Sequence, residues 1–244
     1  MGRFELSFER YGRQAILINW PQIIDDDVLF DMLDFKKSII DHYIELKVEI
    51  NSAYNSIIVS YITTIRNIYD EILTLKSIYS KQNNTRIMQF QRIHIPVCYD
   101  EKFGIDIGRI SDETKLSKND VIRLHQDVDY RVFFIGFLPG FLYLGGMDDR
   151  LICPRLSTPR TEVAMGSVAI GGHQTGIYPI SSPGGWNIIG RSPINFFDPS
   201  QENPCIAQAG DKVRFESINF SEYEKIKEAV KRGNYKLKIE NIHD

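Results

Sequence analysis

Short alternating apolar runs and segments of helical spacing divide the chain into two textures. In the first, Phe4 to Phe8 and Ala15 to Trp20, bounded by Gly12 and Pro21, predict strands. Asp25 to Asp27 offer an N-cap and an acidic first turn to a segment carrying Val28, Leu29, Met32, Ile39, Ile40, Tyr43 and Ile44 at helical spacing. A β-branched run from Ser56 to Ile62, a helical pattern from Ile65 to Tyr79 and an alternating run from Arg86 to Val97 complete a β-β-α-β-α-β order. This order predicts a small α+β domain over residues 1–95, with helices on one side of an antiparallel sheet.

The second texture, residues 96–244, opens with two short helices between 104 and 126, the second capped by Ser117 with Asp120. Short strands separated by Gly and Pro follow, at 130–138, 162–165, 167–170, 176–180, 186–189, 194–198 and 212–218, a spacing that suggests a barrel or sandwich. Ser221 to Lys231 predicts a last helix closed by Gly233, and Tyr235 to Ile239 an edge strand.

Composition changes this picture in two places. A net charge of −3 disfavours a strongly basic nucleic-acid binder. Most of the 17 glycines and 10 prolines fall within residues 136–199, and no lysine lies between Lys118 and Lys212. The cations of residues 131–198 are Arg131, Arg150, Arg155, Arg160 and Arg191, whose rigid forks suit a carboxylate or phosphate. The competing reading is that these arginines cap carbonyls or pair with Asp148, Asp149 and Glu162.

Cys98, Cys153 and Cys205 form no C-x-x-C pair and read as free thiols in a reducing compartment. Met1 to Trp20 lacks the pattern of a signal peptide, and no apolar run is long enough to span a membrane, so a cytoplasmic protein without membrane contact is expected. There is no P-loop, and the five histidines share no metal-ligand spacing, so no metal is expected. Asp106 to Gln126 has the outline of a helix-turn-helix. A second helix with only Lys118 and Arg123 as cations favours a structural αα-hairpin, and no nucleic-acid partner is expected. Tyr143, Tyr178 and Trp186 each lie beside a Gly/Pro turn where backbone can approach a ligand. His125 could serve as a general base near neutral pH or sit in the core.

FLPGFLYLGGMDDRL (137–151), TPR (158–160), GSVAIGGHQTGIYPISSPGGWNIIGRSP (166–193) and FFD (196–198) resemble the signature of the 5-oxoprolinase B-subunit family, also called the KipI or allophanate hydrolase subunit 1 family. YGRQAILINW (11–20), AYNSIIVSY (53–61), IPVCYDEKFGIDI (95–107) and VIRLHQDVDYRVFFIGF (121–137) match the same family in order. The resemblance implies that the second domain is a cyclophilin-like β-barrel. It implies a protein that is inactive alone and that, in a complex with A and C subunits, the latter homologous to it, hydrolyses 5-oxo-L-proline to L-glutamate with ATP and Mg at the level of the complex. A non-enzymatic branch that binds a sensor histidine kinase is the alternative. Among the positions that match the family block, His125, Arg160 and Arg191 are taken as the expected catalytic residues, the two arginines holding the substrate carboxylate or a phosphoryl group in a pocket at the interface with the C subunit. Gln174, Thr175 and Tyr178 would hydrogen-bond the lactam, and Tyr143 and Trp186 would complete the substrate site.

Overall fold

The computed structural model describes residues 2–44, 48–82 and 89–243. It divides into two compact units between Met88 and Gln89.

In the first unit β1 (Ser7–Tyr11), β2 (Ala15–Asn19), β3 (Val48–Ser52) and β4 (Ser56–Tyr61) form an antiparallel sheet in the order β1-β2-β4-β3. Helix α1 (Asp26–His42) begins where Asp25 accepts the Asp27 N–H, and α2 (Ile68–Ser80) begins at the Asn67 cap. Ile16 and Ile18 of β2 and Ile57 and Val59 of β4 are buried, as are Leu29, Met32, Phe35 and Ile39 of α1, the alternation and helical spacing visible in the sequence. Asp31 lies inside this core, accepting from Trp20 Nε1 at 2.8 Å and the Tyr79 hydroxyl at 2.7 Å. Strand β3 has no counterpart in the predicted elements. The predicted strand positions 86–88 lie outside the described residues.

The second unit is organised by an eight-stranded sheet. Its strands are β5 (Gln89–Val97), β6 (Asp129–Ile135), β7 (Leu142–Gly145), β9 (Ser167–Gly171), β10 (Gln174–Ile177), β12 (Asn187–Arg191), β13 (Lys212–Ser217) and β14 (Lys238–His243), in the order β12-β9-β10-β7-β6-β13-β5-β14. β8 (Arg160–Val163) and β11 (Ser182–Gly184) pair separately. The β5 segment, which the predicted boundary at 95/96 cuts through, belongs here because it pairs parallel to β13 from Arg92–Lys212 to Val97–Ser217. That partner lies far along the chain, so local pattern carries no trace of it. Pro96 is tolerated beyond the β14 pairing, which ends at His94–Lys238.

The closed barrel expected from the resemblance is not found: no ladder joins the two ends of the sheet among the described residues. A single bridge, with Cys98 and Arg191 exchanging both N–H···O bonds at 2.9 and 3.0 Å, ties β12 to the residue after β5. Both sides of the sheet thereby share one core, to which Ile95, Val132, Leu144, Ile170, Ile189 and Phe215 contribute. The predicted strand at 194–198 reduces to a bridge between Phe197 and Cys205.

Helices α3 (Ile107–Thr114) and α4 (Lys118–Gln126) turn through Lys115 at φ +60° and bury Ile110, Val121 and Leu124 in that core. Lys118 pairs with Glu101, and Arg123 with Asp120. The hairpin thus packs its apolar face on the core and carries Lys118 and Arg123 in surface ion pairs. Helix α5 (Phe220–Lys231) starts at an Asn219–Glu222 capping box, and Gly233 follows at φ +70°. No helix of the described residues is long and apolar enough to cross a membrane.

Candidate functional site

Successive side chains of a strand point to opposite faces, and in β9, β10 and β12 this sorts the signature residues into two environments. Val168, Ile170, Ile177 and Ile189 enter the main core. Ala169 and Ile188 point the other way, into a second cluster with Phe141, Val163, Tyr178 and Trp186, against which Tyr143 packs. Two glycines let the Trp186 indole lie on the strands. A Cβ on Gly171 would stand 2.6 Å from its ring, and one on Gly176 would meet the Leu142 carbonyl at 2.9 Å and the ring at 3.1 Å. Phe141 meets Tyr178 and Trp186 edge-on, with centroids 5.3 and 5.6 Å apart.

This cluster walls a cleft of about 200 Å³ lined by Phe137, Phe141, Tyr143, Arg155, Leu156, Pro159, Tyr178, Gly184, Gly185 and Trp186. Three of the expected substrate-site residues, Tyr143, Tyr178 and Trp186, thus converge here. Burial pushes the phenol pKa of both tyrosines up, and the positive charge of Arg155 opposes that rise in each. Arg155 lies over the Trp186 ring at 5.3 Å, and no carboxylate is within ion-pair distance of it among the described residues. Phe137, at the mouth, is 65% exposed and holds φ at +66°, a left-handed conformation unusual for a bulky residue.

The other expected residues lie elsewhere. Thr175 shares its strand with Gly176 but points inward and is fully buried, its hydroxyl donating to the Ala169 carbonyl at 3.1 Å. His125 is fully buried beside it, with Nε2 2.8 Å from Thr175 Oγ1, Nδ1 2.8 Å from the Tyr99 hydroxyl, and its ring stacked on Phe215. Burial lowers its pKa to about 3, so the imidazole is neutral and both ring nitrogens are occupied. Of the two readings of His125, general base or core residue, this placement is that of a hydrogen-bonded core histidine. Gln174 opens β10 half-buried and does not line the cleft.

Nor do Arg160 and Arg191 line it. Arg160 Nη2 pairs with Asp106 Oδ1 at 2.6 Å, and Asp106 Oδ2 accepts the Ile188 N–H at 2.7 Å. Its Nη1 also reaches the Trp186 carbonyl at 3.5 Å, so Arg160 braces the cleft wall from behind. Arg191 lies over Phe103 at 4.9 Å, its charge opposes the burial-driven rise of the Tyr223 phenol pKa, and its Nε is buried with no partner. Arg131 donates to the Gly210 carbonyl, and Arg150 forks onto Asp148. The arginine set is thus mostly structural, with Arg155 as the member that faces a cleft. Phe137, Phe141 and Arg155, which line the cleft, and Asp106, which pairs with Arg160 behind it, were not among the expected site residues. Arg155 stood in the lysine-free arginine set, whereas nothing local marked its approach to Trp186.

The chain matches the carboxyltransferase domain family, subdomain C and D, over residues 6–207, and it belongs to that family. It is 45% identical over 136 residues to the 5-oxoprolinase B subunit of Bacillus subtilis (strain 168), covering 56% of this chain and 57% of that protein. The match therefore spans little more than half of that curated relative. A conserved uncharacterized protein of Pyrococcus horikoshii is 39% identical, with TM-score 0.53, over 89% of this chain and 100% of its own. The urea amidolyase of K. lactis superposes with TM-score 0.82 over 99% of this chain and 16% of its own at 19% identity, a likeness of fold alone.

Proposed function

We propose that the chain is the B subunit of an ATP-dependent 5-oxoprolinase and works with A and C subunits, the latter homologous to it, to hydrolyse 5-oxo-L-proline to L-glutamate. The observation that carries this reading is the convergence of Tyr143, Tyr178 and Trp186 on one small cleft, together with the identity to 5-oxoprolinase B subunits. About 200 Å³ is below the roughly 300–1,000 Å³ of clefts for drug-sized ligands and suits a compact ring. In the proposed site the aromatic walls exclude water from the lactam, and Arg160 positions Trp186 and Asp106.

The cleft does not fit ATP with Mg: it is too small for a nucleoside triphosphate and offers one arginine to three phosphates. In this reading the nucleotide binds outside this cleft, at the level of the complex. The cyclophilin-like architecture belongs to the same proposal, supported by the Cys98–Arg191 bridge across the sheet. A reducing, cytoplasmic setting is supported by the three free thiols. The relatives described above include a urea amidolyase and a 5-oxoprolinase component, and no observation favours the kinase-inhibitor alternative.

The test is ATP-dependent glutamate release from 5-oxoproline by the purified chain and by the chain co-expressed with the A and C subunits. The expected result is release by the complex and none by the chain alone. A fully assembled complex without release refutes the assignment.

A further inference from the structure

The aromatic cleft resembles a cage for a cationic ligand in its ring content, but its charge points the other way. The cation position on the Trp186 face is already taken by Arg155, 5.3 Å from the ring centroid, so a second cation there would meet like charge. Arg155 is exposed, braced by no carboxylate among the described residues, and its charge reaches both Tyr143 and Tyr178. The other four arginines of the lysine-free stretch are engaged by the Gly210 carbonyl, Asp148, Asp106, or the Phe103 ring. A guanidinium left unpaired over an aromatic wall offers forked donors to an incoming anion.

Phe137 supplies a second, independent feature. A bulky side chain at φ +66° costs conformational energy, yet this one is turned outward at the mouth and set edge-on to Phe141 at 5.6 Å. Strain of this kind persists where the side chain's position is used.

We propose that Arg155 is the anion anchor of this cleft. It takes the carboxylate of a small cyclic acid whose flat ring lies against Trp186 and Tyr178, and Phe137 covers the ring from the mouth. This inference deepens the proposed function, resting on it for the identity of the acid, and it moves the carboxylate-binding role from Arg160 and Arg191 to Arg155.

Isothermal titration of the full chain tests it with two probes, 5-oxo-L-proline and 2-pyrrolidinone, which keeps the lactam ring and lacks the carboxylate. Wild type is expected to bind 5-oxo-L-proline more tightly than 2-pyrrolidinone. Arg155→Ala should weaken 5-oxo-L-proline roughly ten- to a hundred-fold and leave 2-pyrrolidinone unchanged, while Arg155→Lys falls between. Equal affinity of wild type and Arg155→Ala for 5-oxo-L-proline overturns the anchor, as does absence of binding to the wild-type chain. An assembled complex without oxoprolinase activity, in a chain whose 5-oxo-L-proline binding still depends on Arg155, would overturn the functional reading and leave the anchor standing.

Discussion

Lowering the pH from 7.5 to 5 should destabilise the second unit through His125 alone by about 2 kcal/mol. The folded imidazole has a pKa near 3 because it is fully buried, against about 6.5 when the chain is unfolded. With the folded value depressed, the unfolded state binds the extra proton. The stability this group contributes is therefore intact above pH 6.5 and is lost as pH falls from there toward 3. At pH 5 the unfolded imidazole is almost fully charged and the folded one almost fully neutral, so the loss is about 1.4 kcal/mol per unit over roughly 1.5 units.

Carboxylates titrate over the same range, and a variant cancels them. His125→Phe keeps a ring against Phe215 but removes the partner of the buried Tyr99 hydroxyl, while Thr175 retains the Ala169 carbonyl. That orphaned hydroxyl costs about 1–3 kcal/mol at pH 7.5. Urea unfolding at the two pH values, followed by Trp186 fluorescence in a Trp20→Phe background, should show the variant about 2 kcal/mol less stable at pH 7.5 and nearly level with the same background carrying His125 at pH 5. A gap that stays constant across the range, or an imidazole NMR titration of the folded protein centred near 6.5, would refute the reasoning.

Three further outcomes follow from the cleft's construction. Arg160→Ala leaves the Asp106 carboxylate, 9% exposed, without its counter-ion, and urea unfolding should register a loss of about 1–3 kcal/mol; Arg155→Ala, on the surface, should change stability by less than about 0.5 kcal/mol. Gly171→Ala places a methyl group against the Trp186 ring, which must move. Destabilisation of about 1–3 kcal/mol and a red-shifted Trp186 emission are expected, and an unshifted spectrum would contradict the packing. Phe137→Gly relieves a left-handed φ, so stability should stay within about 1 kcal/mol of wild type while 5-oxo-L-proline affinity falls severalfold; unchanged affinity would remove Phe137 from the site.

Much of the secondary structure was legible because it rests on local chemistry. Asp25, Ser117 and Gly233 mark helix ends as their side chains or backbone freedom dictate. The helical spacing of Val28 to Ile39 is the buried face of α1. The site was legible only at its turns: Tyr143, Tyr178 and Trp186, picked for the glycines and prolines beside them, do meet. Gln174 and Thr175 were placed with Tyr178 on the lactam because all three match the family block, but alternation along β10 sends Thr175 to the core beside His125.

The sequence by itself determined the helix ends, the face each helix or strand would bury, and the turns from which a cleft could be built, since these depend on side-chain polarity, backbone freedom and spacings of a few residues. Tertiary structure alone decided that β5 joins the second unit through parallel pairing with a distant strand, and that Asp106 claims Arg160. It also decided that Arg155 is left unpaired over Trp186. Which arginine is left to meet an anion depends on which others find a carboxylate or carbonyl, and those partners are brought within reach only when the sheet curls onto one core.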